Sequence, residues 1–326
     1  GLCTIKSFVV IPAKADSSES MSSDLSVIII NYNTAGLTAQ AVRSLLDTRG
    51  DIRLEIIVVD NASPEDNLRE RLEPVRLEIE KDADVVLQMI FSHENLGFTG
   101  GNNLGIKSAT APVLLLLNSD TIVKPGCLKT SLDYLSVHPE AGILGPKLLD
   151  PDGTRQLSCR RFPSFSTALF NRYSLMTRLF PDNPWSRAYL MSDPSEANEP
   201  RVVDWVSGAA MFVTRPALNS IGMLDENFFM YAEDVDFCLR ANQLGFEVHY
   251  LPEAEIIHLI GSSSRHLPFR TIWWRHHSMW LFYYKHYSRR IAFFDWITLC
   301  GIFGRAVLKI ADTAIEKRFR AGGRTS

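Results

Sequence analysis

Ser26-Val27-Ile28-Ile29-Ile30-Asn31-Tyr32-Asn33 is the stretch on which the architecture turns. Its apolar run has no polar alternation, so it reads as a strand covered on both faces, and the polar triplet ends that strand. Residues 37–46 follow, with Ala41, Val42 and Leu45 on one helical face. The same alternation recurs downstream. Residues 55–59 form a second apolar run closed by Asp60, residues 85–91 a third, and residues 113–117 a fourth closed by Asn118-Ser119-Asp120. Strands alternating with helical patterns predict an α/β chain on a mainly parallel sheet. Ligands of such sheets bind beyond the carboxyl ends of the strands, where these polar clusters fall.

Each cluster has a chemical reading and a plain one. Ser63-Pro64-Glu65-Asp66 has the form of a helix start with Ser63 as its cap. That leaves Asp60 to accept hydrogen bonds from a ligand, such as a pyrimidine N–H, although strand-end Asp residues also cap helices. Asp120 can ligate a divalent cation that bridges a diphosphate, while Asn-Ser-Asp is also an ordinary turn. The Gly-rich stretch from Asn95 to Asn103 opens a helix, where backbone amides favour anions. It is not GxGxxG and does not follow the first strand, which disfavours a nicotinamide dehydrogenase. Glu233-Asp234-Val235-Asp236 either caps a helix by charge or, beside Phe228-Phe229-Met230-Tyr231, supplies a general base of raised pKa. His258 is a metal ligand or a structural histidine. Ser207-Gly208 lacks the leading glycine of a GxSxG elbow, which argues against a serine hydrolase.

Composition sets the frame around these motifs. The chain has 326 residues, 46% hydrophobic and 22% charged, enough for one large α/β domain and an appendage. From Arg265 onward there are 12 Lys/Arg against 3 Asp/Glu, so the net charge of −3 hides a basic end on an acidic body. That end also holds 13 aromatic residues, Trp273, Trp274, Trp280 and Trp296 among them. Aromatic and basic residues so mixed suit a membrane interface, with a packing helix or an oligomer contact as the alternative. No nucleic-acid recognition module accompanies them, so no nucleic-acid partner is expected. Five scattered cysteines without a CxxC pair predict reduced thiols in a cytosolic protein. The expected division is a flexible leader at 1–24, a nucleotide-binding α/β domain at 25–265 and a helical tail at 266–326. Residues 151–200, rich in Pro, Ser and Arg, read as an irregular segment over the site.

Taken in order, residues 26–33, Val58-Val59-Asp60-Asn61-Ala62-Ser63, residues 95–103, Asn118-Ser119-Asp120, Tyr231-Ala232-Glu233-Asp234-Val235-Asp236 and His258 resemble the family 2 glycosyltransferases. Within that family they look most like the bacterial rhamnosyltransferases of O-antigen and cell-wall polysaccharide assembly. The resemblance implies a GT-A fold, a Rossmann-like mixed sheet flanked by helices, and inversion at the anomeric carbon. It implies that Asp60 holds the nucleotide base in a pocket lined by Asn31, Tyr32 and Asn33. Asn95, Gly97, Phe98, Asn102, Asn103, Asn118 and Ser119 would border the donor. Asp120, the acidic end of a DXD motif whose first position is Asn118 here, would bind Mg2+ or Mn2+ together with His258. Asp234 would be the base with Glu233 beside it, and Trp205, Ser207 and Gly208 would face the acceptor. The implied donor is dTDP-β-L-rhamnose or a UDP-sugar, and the acceptor a glycan or lipid-linked oligosaccharide, with the enzyme peripheral on the inner face of the cell membrane.

Two rivals remain distinguishable. A non-catalytic nucleotide-sugar-binding scaffold would keep Asp60 but lose the base or the metal position. A nucleotidyltransferase would carry a basic phosphate loop after the first strand, and residues 31–38 hold no positive charge.

Overall fold

The computed structural model describes residues 8–12, 22–64, 67–163, 198–259, 268–289 and 291–322. The opening stretch forms β2 (Leu25–Asn31), followed by α1 (Ala35–Thr48), β3 (Leu54–Asp60), α2 (Leu68–Ile79), β4 (Val85–Ser92), α3 (Gly97–Ser108) and β5 (Val113–Asn118). These strands are parallel and lie in the order β4-β3-β2-β5. Side chains alternate across β2 as a strand requires. Val27 and Ile29 pack with Ala41, Val42 and Leu45 of α1, and Ile28 packs on the other face with Leu104 and Ile106 of α3. Burial of both faces explains the unbroken apolar runs.

The second half of the sheet is mixed. It comprises β6 (Thr121–Val123), α4 (Cys127–Val137), β7 (Ala141–Leu149), β9 (Arg201–Val203), β11 (Ala210–Thr214), α5 (Arg215–Ile221), α6 (Glu233–Gln243) and β12 (Glu247–His258). β11 runs antiparallel between β5 and β7, and β12 lies parallel to β7. A separate pair, β8 (Cys159–Arg160) and β10 (Trp205–Val206), stands beside the main sheet. The expected α/β class and mixed sheet flanked by helices are therefore present.

Three expectations need correction. Phe8–Pro12, placed in a flexible leader, forms β1 antiparallel to β4, with Val9 opposite Phe91. Its aromatic and β-branched residues favour a strand despite the Ser-rich sequence that follows. Second, α2 begins at Leu68, and Ser63 is not its cap. Third, the helical tail divides. The expected border at 265/266 and most of the segment at 151–200 lie outside the described residues. Beyond that border, α7 (Pro268–His286) joins the core through Phe282, whereas α8 (Ala292–Gly322) leaves Phe293, Trp296 and Leu308 exposed. Among the described residues no helix is long and apolar enough to cross a membrane, and Cys127, Cys159, Cys238 and Cys300 are free thiols.

Candidate active site

The carboxyl ends of β2, β3 and β5 meet, as the strand pattern requires. Asn31 ends β2 opposite Asp60 at the end of β3, and its amide donates to Asp60 Oδ1 at 2.8 Å. Ser63 Oγ donates to the same oxygen at 2.6 Å and accepts from the Asn33 backbone N–H at 3.0 Å. Ser63 therefore shapes the pocket floor instead of starting a helix. Thr34 and Thr38 hydroxyls donate to Asn31 Oδ1, and Thr34 Oγ1 lies 3.0 Å from Ser119 Oγ. Asn33 sits at φ 54°, a left-handed turn that asparagine tolerates. Tyr32 is half-buried on this turn. The arrangement holds Asp60 in a fixed orientation at the ligand end of the sheet.

The loop before α3 is tied to two other elements. Asn61 accepts from the Leu96 N–H and donates to Asn95 Oδ1 and the Gly97 carbonyl. Gly97 has φ 71°, and a Cβ there would stand 2.3 Å from the Phe229 carbonyl oxygen. Only glycine lets this loop approach so closely. The Phe98 N–H donates to that carbonyl at 2.8 Å. Asn102 and Asn103, expected to border the donor, are tied into the fold. Both are buried, Asn102 donating to the Phe98 carbonyl and Asn103 exchanging hydrogen bonds with the Leu224 backbone. Their amides satisfy buried backbone groups.

Asp120 and His258 come together, with Oδ1 and Nε2 3.4 Å apart. The histidine is oriented from behind by Gln156. Gln156 Nε2 donates to Asp150 Oδ1 and the His258 carbonyl, so its Oε1 must accept from His258 Nδ1–H at 3.0 Å. In the neutral ring, Nε2 then presents its lone pair toward Asp120. Asn118 Nδ2 lies 3.5 Å from Nε2, and its Oδ1 is buried without a partner. A lone pair, a carboxylate and an orphaned amide oxygen converging this way fit a divalent cation, with the outer hydrogen bond usual for a ligating imidazole. A second group, Glu140, Glu247 and His249, lies at the start of β12, whereas His258 is at its end. Both ring nitrogens of His249 are already engaged there, by Tyr134 and Glu247.

The acidic cluster opens α6 after a strained approach. Tyr231 and Ala232 have φ of 70° and 64°, a conformation costly for residues with a side chain. The three carboxylates then part company. Asp236 is fully buried and binds Arg240, Lys285 and His286, so it is structural. Glu233 is buried with Oε2 unpartnered, and burial, reinforced by the Asp234 charge, pushes its pKa well above the ordinary value. Burial also raises Asp234, but the N–H groups of Gly208 and Val235 and the charge of Arg160 pull it back. Burial thus favours the neutral acid at Glu233, while the two amide donors favour the charged form at Asp234. Phe98 and Gly208 flank Asp234, since a Cβ on Gly208 would lie 3.4 Å from Asp234 Cβ and 3.6 Å from the Phe98 ring.

Known proteins place this geometry in a family. The model of Glycosyl transferase family 2 matches residues 26–186, and that of Glycosyl transferase family group 2 matches residues 113–292. The chain belongs to glycosyl transferase family 2. It is 35% identical over 171 residues to an N-acetylglucosaminyl-diphospho-decaprenol L-rhamnosyltransferase of Mycobacterium tuberculosis, covering 52% of this chain and 54% of that one. It is 28% identical to the rhamnosyltransferase WbbL of Escherichia coli, over 52% of this chain and 63% of that one. The matched region thus spans little more than half of these curated relatives. Among solved structures, the mannosyltransferase PcManGT from Pyrobaculum calidifontis, in complex with GDP-Man and Mn2+, aligns with TM-score 0.54 at 16% identity. That alignment covers 94% of this chain and 80% of that one, and it shows a shared fold.

In this family 2 chain, some of the site had no signature in the sequence. Trp205 is buried, its indole N–H donating to the Arg161 carbonyl at 2.9 Å, with the Arg160 guanidinium carbon 5.3 Å from its ring centre. Ser207 donates its backbone N–H to Ser158. Gln156 and Arg160 come from the segment read only as irregular. Helix α7 was read only as tail. It stacks Trp274 on Phe229 at 4.4 Å, donates from Ser278 to the Met230 carbonyl, and sets Arg275 over Tyr231. It braces the strained approach to Asp234.

Proposed function

We propose that this chain is an inverting glycosyltransferase that moves a sugar from a nucleoside-diphosphate donor to a hydroxyl of a lipid-linked glycan acceptor. The best donor candidate is dTDP-β-L-rhamnose, which would yield an α-L-rhamnoside. The observation that carries the reading is Asp234 at the start of α6, held by the Gly208 and Val235 N–H groups beside the buried, unpartnered Oε2 of Glu233. Asp60, fixed by Asn31 and Ser63, accepts from the nucleotide base. Asp120 and His258, with Asn118, would hold Mg2+ or Mn2+. A cation there offsets charge developing on the leaving diphosphate. Asp234 takes the proton of the acceptor hydroxyl as that oxygen attacks the anomeric carbon. The names of the two relatives support rhamnose, and the first supports a diphosphate-lipid acceptor. Exposed Phe293, Trp296 and Leu308 on a helix that also carries Arg305 and Lys309 suit a lipid surface.

The test is nucleoside diphosphate release from dTDP-rhamnose, UDP-glucose, UDP-N-acetylglucosamine and GDP-mannose, each with Mg2+, Mn2+ or EDTA. Acceptor lipid is supplied in anionic vesicles. Release from dTDP-rhamnose that EDTA stops, and that Asp120→Ala and His258→Ala each reduce at least about tenfold, is the expected result. Protein should float with the same vesicles, and float less after Trp296→Glu. Turnover of another donor would displace rhamnose. No release and no nucleotide binding would remove the transferase reading altogether.

A further inference from the structure

Arg160 is a half-buried cation with no ion-pair partner among the described residues, although its charge reaches Asp234. It ends β8 and pairs in register with Trp205 of β10, over whose ring it lies. Its Nε is buried and has no hydrogen-bond partner, and its Nη2 makes only a long 3.4 Å contact with the Leu157 carbonyl. No carboxylate among the described residues forms an ion pair with it, whereas its neighbour Arg161 pairs with Asp204. A partly buried guanidinium in this condition is costly unless an anion completes it. Its planar fork of donors suits phosphate oxygens better than a point charge would. Trp205 is a fixed platform beneath it, because the indole is itself anchored to the Arg161 carbonyl.

The location identifies which anion. The β8–β10 pair continues through the Ser207 N–H bond to Ser158 into Gly208, whose N–H holds Asp234. Arg160 is close enough for its charge to act on Asp234. In a direct displacement the base and the attacking hydroxyl face the side of the anomeric carbon opposite the leaving diphosphate. The donor's diphosphate belongs with Asp120 and His258, so an anion beside the base belongs to the acceptor. We propose that Arg160, laid on Trp205, is an anion subsite that takes a phosphate or diphosphate group of the acceptor's carrier. This inference rests on the transferase reading above.

The experiment uses two acceptors with the same sugar, an N-acetylglucosaminyl diphosphate on a short alkyl chain and an uncharged alkyl N-acetylglucosaminide. The whole chain is compared with Arg160→Met, which keeps an apolar stem on Trp205, and with Arg160→Lys. Arg160→Met should raise KM for the diphosphate acceptor about 10- to 100-fold, at least tenfold more than for the uncharged one, with partial recovery in Arg160→Lys. An equal loss on both acceptors, or an acid limb of the pH profile that moves with no change in acceptor discrimination, would mean that Arg160 acts through Asp234, and the proposal falls. A rise in donor KM alone would assign the anion to the donor and overturn it as well. A second measurement stands apart from turnover: methylenediphosphonate titrated into protein saturated with dTDP and Mn2+. Binding to the wild type that Arg160→Met weakens at least tenfold supports the subsite even if neither acceptor is used, in which case only the acceptor assignment above fails. Equal binding by both proteins, or none by the wild type, overturns the subsite.

Discussion

Asp234→Asn is expected to lower kcat for sugar transfer by about 10²- to 10⁴-fold, the range of a lost general base, while the melting temperature stays close to that of the wild type. Asparagine preserves the shape at Gly208 and Val235 but cannot take a proton. Glu233→Gln should cost far less, because burial favours the neutral acid at Glu233 and an amide resembles that form. The pH profile supplies an independent reading. Burial raises the Asp234 pKa, so activity should fall, as pH drops, through a value above the usual carboxylate range. Single-turnover assays of both variants with the active donor decide the matter. An Asp234→Asn enzyme retaining more than a tenth of wild-type kcat would move the base elsewhere.

Asp236→Ala should destabilise the fold by about 3–5 kcal/mol, because it strands the partly buried Arg240 and Lys285 and the buried His286 ring. Asp236 is fully buried, and its carboxylate contacts Arg240 at 2.8 Å and Lys285 and His286 at 2.7 Å each. Burial alone would raise its pKa, yet His286, Lys285 and Arg240 together hold it at about 2. The depressed folded-state value means that the stabilisation is present above the unfolded pKa, near 4. It is lost as pH falls from there toward 2, by on the order of 2 kcal/mol. Urea titrations at pH 7 and pH 3 check both statements. A loss under 1 kcal/mol at pH 7, or equal wild-type stability at the two pH values, would contradict them. Because Asp236 ties α7 to α6, the variant should also lose activity before it unfolds globally.

What the sequence made legible was local. Each of the runs at β2, β3, β4 and β5 stands within one or two residues of its expected place, because interior strands leave a mostly apolar signature. Asp60, Asp120 and Asp234 stand out in the sequence for a related reason: each follows such a run or an aromatic cluster at an element boundary. Partners distant along the chain left no such trace. Gln156 reaches His258 across 102 positions, and His286 reaches Asp236 across 50. Glu233, Asp234 and Asp236 look equivalent in a row. They differ in what the fold brings to them: an unpartnered Oε2 for the first, two neighbouring backbone amides for the second, and Arg240, Lys285 and His286 for the third. Asn102 and Asn103 show the opposite limit: polar residues in a Gly-rich stretch suggest a ligand, and nothing in the sequence signals that Asn102 bonds the Phe98 carbonyl and Asn103 the Leu224 backbone and Glu226.

The perimeter of the sheet bears on how the protein behaves at high concentration. Its strand order begins with β1 and ends with β6, and β9 also lies against β12. β1 has five residues and closes on Pro12, and β6 and β9 have three each. The long strands, from seven-residue β2 to twelve-residue β12, lie inside these short ones. A brief edge, or one ending in proline, is a poor template for another chain's backbone. Lateral strand addition, the usual route to fibrillar aggregates, is therefore blunted at both margins. Copies of this chain that associate would do so through exposed helical side chains, and salt or detergent should govern their solubility more than anything that competes for backbone hydrogen bonds.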